Sequence, residues 1–216
     1  RFASWANDCA GTVGNVCTVT MDQARTATVT FTRLRTVTVD DADHGVVTST
    51  GTGVYGSQLN CGEGIAAADE VCTAYFDTGT DVTLTATPTD NTAYRFKAWT
   101  DDACKTNTYV DNADRKGTCT ITGIATNYTG LTKVVPTYQA IFALTTSVTG
   151  GTGATIATKN VDEYISGTTS CAPGASCTTY FDSGKQATIT ISPDGTTWRF
   201  ASWANDCAGT VGNVCT

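Results

Sequence analysis

Residues 1–18 read RFASWANDCAGTVGNVCT, and residues 199–216 read the same eighteen letters without a difference. A duplicate of that length is not a chance event. The 216-residue chain therefore reads as one period of 198 residues, from Arg1 to Arg199, plus an 18-residue overlap. Repetition outranks every local signal, because repeat units bury a continuous core only by stacking on their neighbours.

A weaker period lies inside the first. AYFDTGTDVTLTATPTDNTAYRFKAW (74–99) aligns with TYFDSGKQATITISPDGTTWRFASW (179–203), so Tyr75-Phe76-Asp77 matches Tyr180-Phe181-Asp182 and Trp99 matches Trp203. Cys104 matches Cys207, and Cys119 matches Cys215. Each period thus holds two diverged domains. The sequence predicts the back end of a repeat domain at 1–33, a complete domain at 34–140, and at 141–216 a domain whose last strand corresponds to residues 19–33, VTMDQARTATVTFTR. Two arrangements produce this phase. Either the chain is a window on a longer tandem array, or separate chains complete one another by donating a strand. The duplicated 18 residues favour the window, since donation requires the segment only once.

The local pattern is of strand type. RTVTV (35–39), VTLTATP (82–88), TCTITGI (118–124), ATITIS (187–192) and TATVTF (26–31) alternate Thr with apolar residues, and 46 of the 216 residues are Thr. Such alternation turns one face to a core and a Thr face to solvent. Turn signals stand between the runs, among them DADHG (41–45), DTG (77–79), TGGTG (149–153), DSG (182–184) and PDG (193–195). GIAAADEVC (64–72) is the one stretch read as a helical turn, with Asp69 and Glu70 solvated. The expected fold class is all-β: tandem small β-domains, β-grasp-like or small sandwiches, joined end to end. An aromatic set recurs at matching positions and is assigned to the core: Phe76, Phe96, Trp99, Phe181, Phe200 and Trp203. Trp198 has Tyr94 as its nearest counterpart. The junctions Thr32-Arg33-Leu34-Arg35 and Gln139-Ala140-Ile141-Phe142 hold no Gly, Ser or Pro run, which implies a stiff connection.

The ten cysteines fall in sequence-local pairs: Cys9 and Cys17, Cys61 and Cys72, Cys104 and Cys119, Cys171 and Cys177, Cys207 and Cys215. Even numbers at matching places read as a disulfide framework. Local pairing is the simplest connectivity, although four cysteines permit three arrangements per domain. The spacings do not suit zinc knuckles, and no C-x-x-C-H string for haem occurs. Disulfides place the chain in an oxidising space, the cell surface, the medium or the periplasm, and the extracellular or cell-surface setting is the one expected.

The string W-x-x-x-x-C…C-T-V-T-M-D-x-x-x-x-x-T-V-T-F, preceded by Y-F-D-x-G, V-T-L-T-A-T-P and R-F-x-x-W, resembles the divergent internalin-type B-repeat of long bacterial surface proteins. The resemblance runs from Tyr75 to Trp99 with Cys104, Cys119 and Thr120, and from Tyr180 to Cys215 with the 17–31 continuation. SVTGGTGATIA (147–157) fits the usual opening, and VDDADHGVVTS (39–49) holds its place in the other domain. The family implies a small β-domain arrayed in tandem in stalks, adhesion or matrix, with no catalytic residues to carry over. Insertions around 52–71 and 103–117 depart from the common form, and any specialised contact is expected there.

Other functional classes find little support. A net charge of −7 and a pI near 4.5 disfavour nucleic acid as a partner. No apolar run approaches the roughly 18 residues of a membrane span. His44 is the only histidine, no nucleophile–base pair stands out, and neither an enzyme nor a cofactor is expected. Asp40, Asp41, Asp43, His44 and Gly45 resemble the opening of a calcium loop but lack its fifth-position ligand and its Glu at position twelve, so a solvated turn is expected. Asp101, Asp102, Asp111 and Asp114 flank the Cys104–Cys119 stretch and would meet around calcium only if that loop folds back. Asn127-Tyr128-Thr129 is a glycosylation sequon. The expectation is a structural extracellular protein forming a fibre, sheath or stalk, with copies of itself as partners. The alternative is an adhesin or glycan-binding array that uses the two insertions.

Overall fold

A computed structural model describes residues 1–40, 42–51, 53, 54, 56, 58–100, 104, 108–111, 114–123, 132–149, 154–160, 168–172, 174–193, 195–197 and 199–216. In chain order the strands are β1 (Phe2–Asn7), β2 (Ala27–Phe31), β3 (Leu34–Val39), β4 (Gly45–Ser49), β5 (Asn60–Gly62), β6 (Thr73–Asp77), β7 (Val82–Pro88) and β8 (Tyr94–Trp99). They continue as β9 (Thr108–Asp111), β10 (Lys116–Ile121), β11 (Thr132–Val134), β12 (Pro136–Ser147), β13 (Ala154–Asn160), β14 (Thr168–Cys171), β15 (Ser176–Asp182), β16 (Ala187–Pro193) and β17 (Val214–Cys215). Among the described residues the only helix is a single 3-10 turn, Asn205–Cys207, so the chain is all-β as its alternation predicts.

The chain divides into two compact units. One comprises Arg1–Ala86, Ala98–Tyr109 and Gly117–Thr137; the other comprises Thr87–Lys97, Val110–Lys116 and Tyr138–Thr216. In the first, β1 pairs antiparallel with β2, with Trp5 opposite Val29. A second sheet runs β11-β3-β6, its β11–β3 pair parallel and its β3–β6 pair antiparallel. The third runs β5-β4-β7-β10-β9, with Cys119 opposite Leu84. In the second unit, β14-β13-β16-β17 forms an antiparallel sheet, and β12 lies between β15 and β8.

The period-2 pattern explains the burial in the first unit. In β7, Val82, Leu84 and Ala86 are fully buried while the threonines between them are half-buried. The expected solvated Thr face is thus partly covered, because β7 has neighbours on both edges and its threonines pair across strands. Thr83 and Thr120 hydroxyls lie 2.9 Å apart, and Thr38 and Thr73 repeat the contact at 3.2 Å between β3 and β6. Strand β2 has the same alternation, yet every residue in it is exposed. Alternation specifies a strand; burial needs something to pack on.

Residues 64–72 depart from the helical reading. Asp69 N–H donates to the Ala66 carbonyl at 2.8 Å and closes a turn, and the chain then re-enters extended pairing as Val71 N–H donates to Asn60 O at 2.9 Å. A disulfide and a strand bridge at either end leave no length for a helical nucleus.

Candidate functional site

The structure joins Cys9 to Cys17, Cys61 to Cys72, Cys104 to Cys119, Cys171 to Cys177 and Cys207 to Cys215, with Cα separations of 5.8, 4.7, 5.3, 5.7 and 5.9 Å. Among the recurring aromatics, Phe76, Phe96, Trp99 and Phe181 are at most 5% exposed. Phe200 and Trp203 are only half-buried, as are Phe2 and Trp5 in the identical N-terminal segment. Trp198 lies outside the described residues.

The acidic candidates are spread apart. Asp40 pairs with Lys133, and Asp114 with Lys116 at 3.0 Å. His44 sits in a turn with φ 68°, its N–H donating to Glu63 at 2.9 Å. Asp41, Asp101, Asp102, the side chain of Asp111 and the sequon at 127–129 lie outside the described residues. The one grouping with metal-ligand chemistry among the described residues is Cys61, Glu70 and Cys72, and its two sulfurs are bonded to each other. Within the insertion at 52–71, Leu59 is tied inward, 1% exposed with its N–H donating to Ser49 Oγ at 3.0 Å, whereas Gly56, Gln58, Glu63, Gly64 and residues 66–70 are exposed. Of the insertion at 103–117, Cys104 is buried and bonded to Cys119, and much of the rest lies outside the described residues.

The best-built polar feature is an arginine–aspartate pair that occurs twice. Arg95, the first residue of R-F-x-x-W in β8, donates from Nε and Nη2 to the two carboxylate oxygens of Asp182, the last residue of Y-F-D in β15. The residues are 4% and 7% exposed, and Arg95 Nη1 also donates to the Phe96 carbonyl at 3.1 Å. Arg1 opens R-F-x-x-W in the N-terminal segment and makes the same bidentate contact with Asp77, the Asp of the Y-F-D copy at 75–77 in β6. There the side chains are 41% and 28% exposed. The Arg1 guanidinium holds the Asp77 carboxyl below the ordinary carboxylate value of 3.8. In both cases an Arg from one sequence repeat grips the Asp of the next. The planar guanidinium fork matches a carboxylate at two points, which fixes orientation as well as distance.

Residues 62–129 match the divergent InlB B-repeat domain. The matched B-repeat stretch contains Asp77 and Arg95, one member of each ion pair, while Arg1 and Asp182 lie outside it. No curated protein and no solved structure gives a match.

The charge pair joins two motifs that stand apart in the sequence. The signal was there, since Arg opens every R-F-x-x-W and Asp closes every Y-F-D. Arg199 opens the third R-F-x-x-W, is exposed, and makes no ion pair among the described residues. It lines a groove of about 670 Å³ in the second unit, walled by Leu144, Ile189, Ile191, Phe200, Trp203 and Cys207. Two of these walls, Ile189 and Cys207, form a buried cluster with Cys171 and Cys215. Among the described residues no helix is long and apolar enough to cross a membrane.

Proposed function

We propose that this chain is part of a structural extracellular repeat protein. It forms a fibre, sheath or surface stalk from disulfide-stapled β-domains with a 198-residue period. The observation that carries the reading is the recurring Arg–Asp clamp. Arg1 with Asp77 and Arg95 with Asp182 each couple one sequence repeat to the next by the same two motif positions. A contact repeated at successive junctions suits a load-bearing array, whose stability is a sum of unit and nearest-neighbour terms. Strand β12 adds to this: it runs unbroken from Pro136 to Ser147 through the predicted repeat boundary, with no flexible linker. Disulfides spanning 6 to 15 residues keep each unit from unravelling under tension or protease attack.

The B-repeat match supports a bacterial surface setting, and the disulfides support an oxidising one. The function is mechanical and involves no catalytic step. Electron microscopy of the native protein tests it. Regular filaments with one axial period per 198-residue unit are expected; dispersed particles that bind a glycan saturably and never form filaments would overturn it in favour of an adhesin.

A further inference from the structure

Two of the disulfides hold matching places in the repeats and differ in their electrostatics. Cys72 stands three residues before Tyr75 of one Y-F-D, and Cys177 three residues before Tyr180 of the other. Each bridge ties two sheets of its own unit together. Cys61 lies in β5 and Cys72 directly precedes β6; Cys171 lies in β14 and Cys177 in β15.

The chain between the cysteines differs sharply in charge. Residues 62–71, GEGIAAADEV, hold three carboxylates, Glu63, Asp69 and Glu70. Glu70 Oε1 lies 3.5 Å from Cys72 Sγ and 3.9 Å from Cys61 Sγ, and it accepts from Gly62 N–H at 3.4 Å. Residues 172–176, APGAS, hold no charged side chain, and Ala175 takes the place of Glu70 two residues before the second cysteine. Cys171 Sγ instead has two neutral carbonyl oxygens near it, Ala175 O at 3.5 Å and Thr146 O at 3.8 Å.

Access selects the same sulfur in both bridges. Cys61 and Cys171 are 5% and 1% exposed, whereas Cys72 and Cys177 are half-buried. An external thiol therefore meets Cys72 or Cys177. Exchange proceeds by attack of a thiolate on one sulfur of the bridge, with negative charge spread over the three sulfurs as the bond changes hands. At Cys72 that charge develops 3.5 Å from a carboxylate, which disfavours both the approach and the departing Cys61 thiolate. The loop before Cys177 supplies no such charge.

We propose that Cys171–Cys177 is a modification site for low-molecular-weight thiols, and that Glu70 keeps the matching Cys61–Cys72 bridge out of that chemistry. The thiolate sulfur bonds to Cys177 Sγ. The Cys171–Cys177 bond breaks, and its electron pair leaves on Cys171 Sγ, which takes a proton from water. The incoming sulfur is oxidised and Cys171 is reduced, so the product is a mixed disulfide at Cys177 and a thiol at Cys171. That thiol finds acceptors in the Ala175 and Thr146 carbonyls. β14 stays paired with β13 and β15 with β12, so the modification unties two sheets without unpairing either strand. One of the two matching bridges is thus open to thiols and the other closed, a reactivity that goes beyond the structural role proposed above.

The test exposes the folded 216-residue chain, disulfides intact, to glutathione for graded times, traps free thiols by alkylation and reads each bridge by mass spectrometry. Trapped Cys171, with glutathione on Cys177, is expected well before any product at Cys61 and Cys72. Glu70→Gln is expected to speed exchange at Cys61–Cys72 about three- to tenfold with glutathione, and least with cysteamine, whose ammonium offsets its thiolate. Ala175→Glu should slow Cys171–Cys177 by a similar factor. In the parent chain, about 0.5 M salt should narrow the gap between the two bridges, because it screens exposed charge. Equal rates at the two bridges at low salt overturn the proposal. So does an effect of Glu70→Gln that is the same for glutathione and cysteamine, since that would show only a loosened fold.

Discussion

Arg95 and Asp182 stand 87 residues apart in sequence and meet through two parallel hydrogen bonds in a site where both are almost wholly buried. Removing one partner leaves the other as an uncompensated buried charge. Arg95→Ala or Asp182→Ala is therefore expected to cost about 3–5 kcal/mol, read from urea unfolding. Arg95→Lys restores little, since an ammonium cannot make the two-point contact. The double variant should be less damaged than the sum of the singles; simple additivity would mean that the pair is not coupled. At the more exposed Arg1–Asp77 pair the same substitutions should do less.

Acid should loosen the N-terminal segment before the cores. Thr26 N–H first, and the Arg25 guanidinium second, hold the Asp8 carboxyl below its ordinary value of 3.8; Arg1 does the same for Asp77. A carboxylate whose folded value is depressed contributes stability above its unfolded value and loses it as pH falls through the lower, folded one. The melting temperature is thus expected to fall on acidification below about pH 4. Asp8→Asn and Asp77→Asn should each flatten part of that decline; profiles identical to the parent chain would show that these clamps carry none of it.

Gly62 tests the hairpin of β4 and β5. Its φ is +143°, and a Cβ there would stand 2.1 Å from the Gly45 carbonyl oxygen and 2.9 Å from Val46 Cα. Both obstacles are backbone and cannot swing aside. Gly62→Ala is expected to cost about 1–3 kcal/mol and to lower the melting temperature by several degrees. An unchanged melt would mean that β4 and β5 do not approach so closely.

Reduction should act unevenly. Cys104–Cys119 spans 15 residues, and the chain-entropy account assigns such a loop about 3 kcal/mol. Cys171–Cys177 spans 6 and should matter less. Both Cys104 and Cys119 are buried, so Cys104→Ala with Cys119→Ala also leaves a void. Timed proteolysis under graded dithiothreitol is expected to cut the first loop open with the larger loss of protection. Equal protease resistance before and after full reduction would show that the bridges are not what holds these units.

Much of the fold was legible because its determinants are local. Thr alternation marked β3, β7, β10 and β16, and the cysteines announced their pairs by proximity. The helical turn that 64–72 could form is replaced by a hydrogen-bonded turn at 66–69, because the bridge from Cys61 to Cys72 and the pairing of Asn60 with Val71 act across the stretch. Arg35 is buried on the core-facing register of β3, which its charge would not suggest and its odd position between Leu34 and Thr36 requires. The recurring motif places of Arg95 and Asp182 were legible, but their meeting was not, since it depends on how β8, β12 and β15 are placed side by side.

The duplicated segment separates the two kinds of information within one molecule. Residues 1–18 and 199–216 share every feature set within a few residues. Asn7 and Asn205 take φ 61° and 56°; Trp5 and Trp203 donate to the carbonyls of Gly14 and Gly212 at 3.2 and 2.9 Å; the same aromatic pair and disulfide form in each. These follow from the sequence alone, because the groups involved are neighbours along the chain whatever surrounds them. Tertiary structure decided which part became a strand: Phe2–Asn7 where β2 supplies partners for its backbone, Val214–Cys215 where β16 does. A strand is completed by hydrogen bonds to another segment, and no segment carries its own partner.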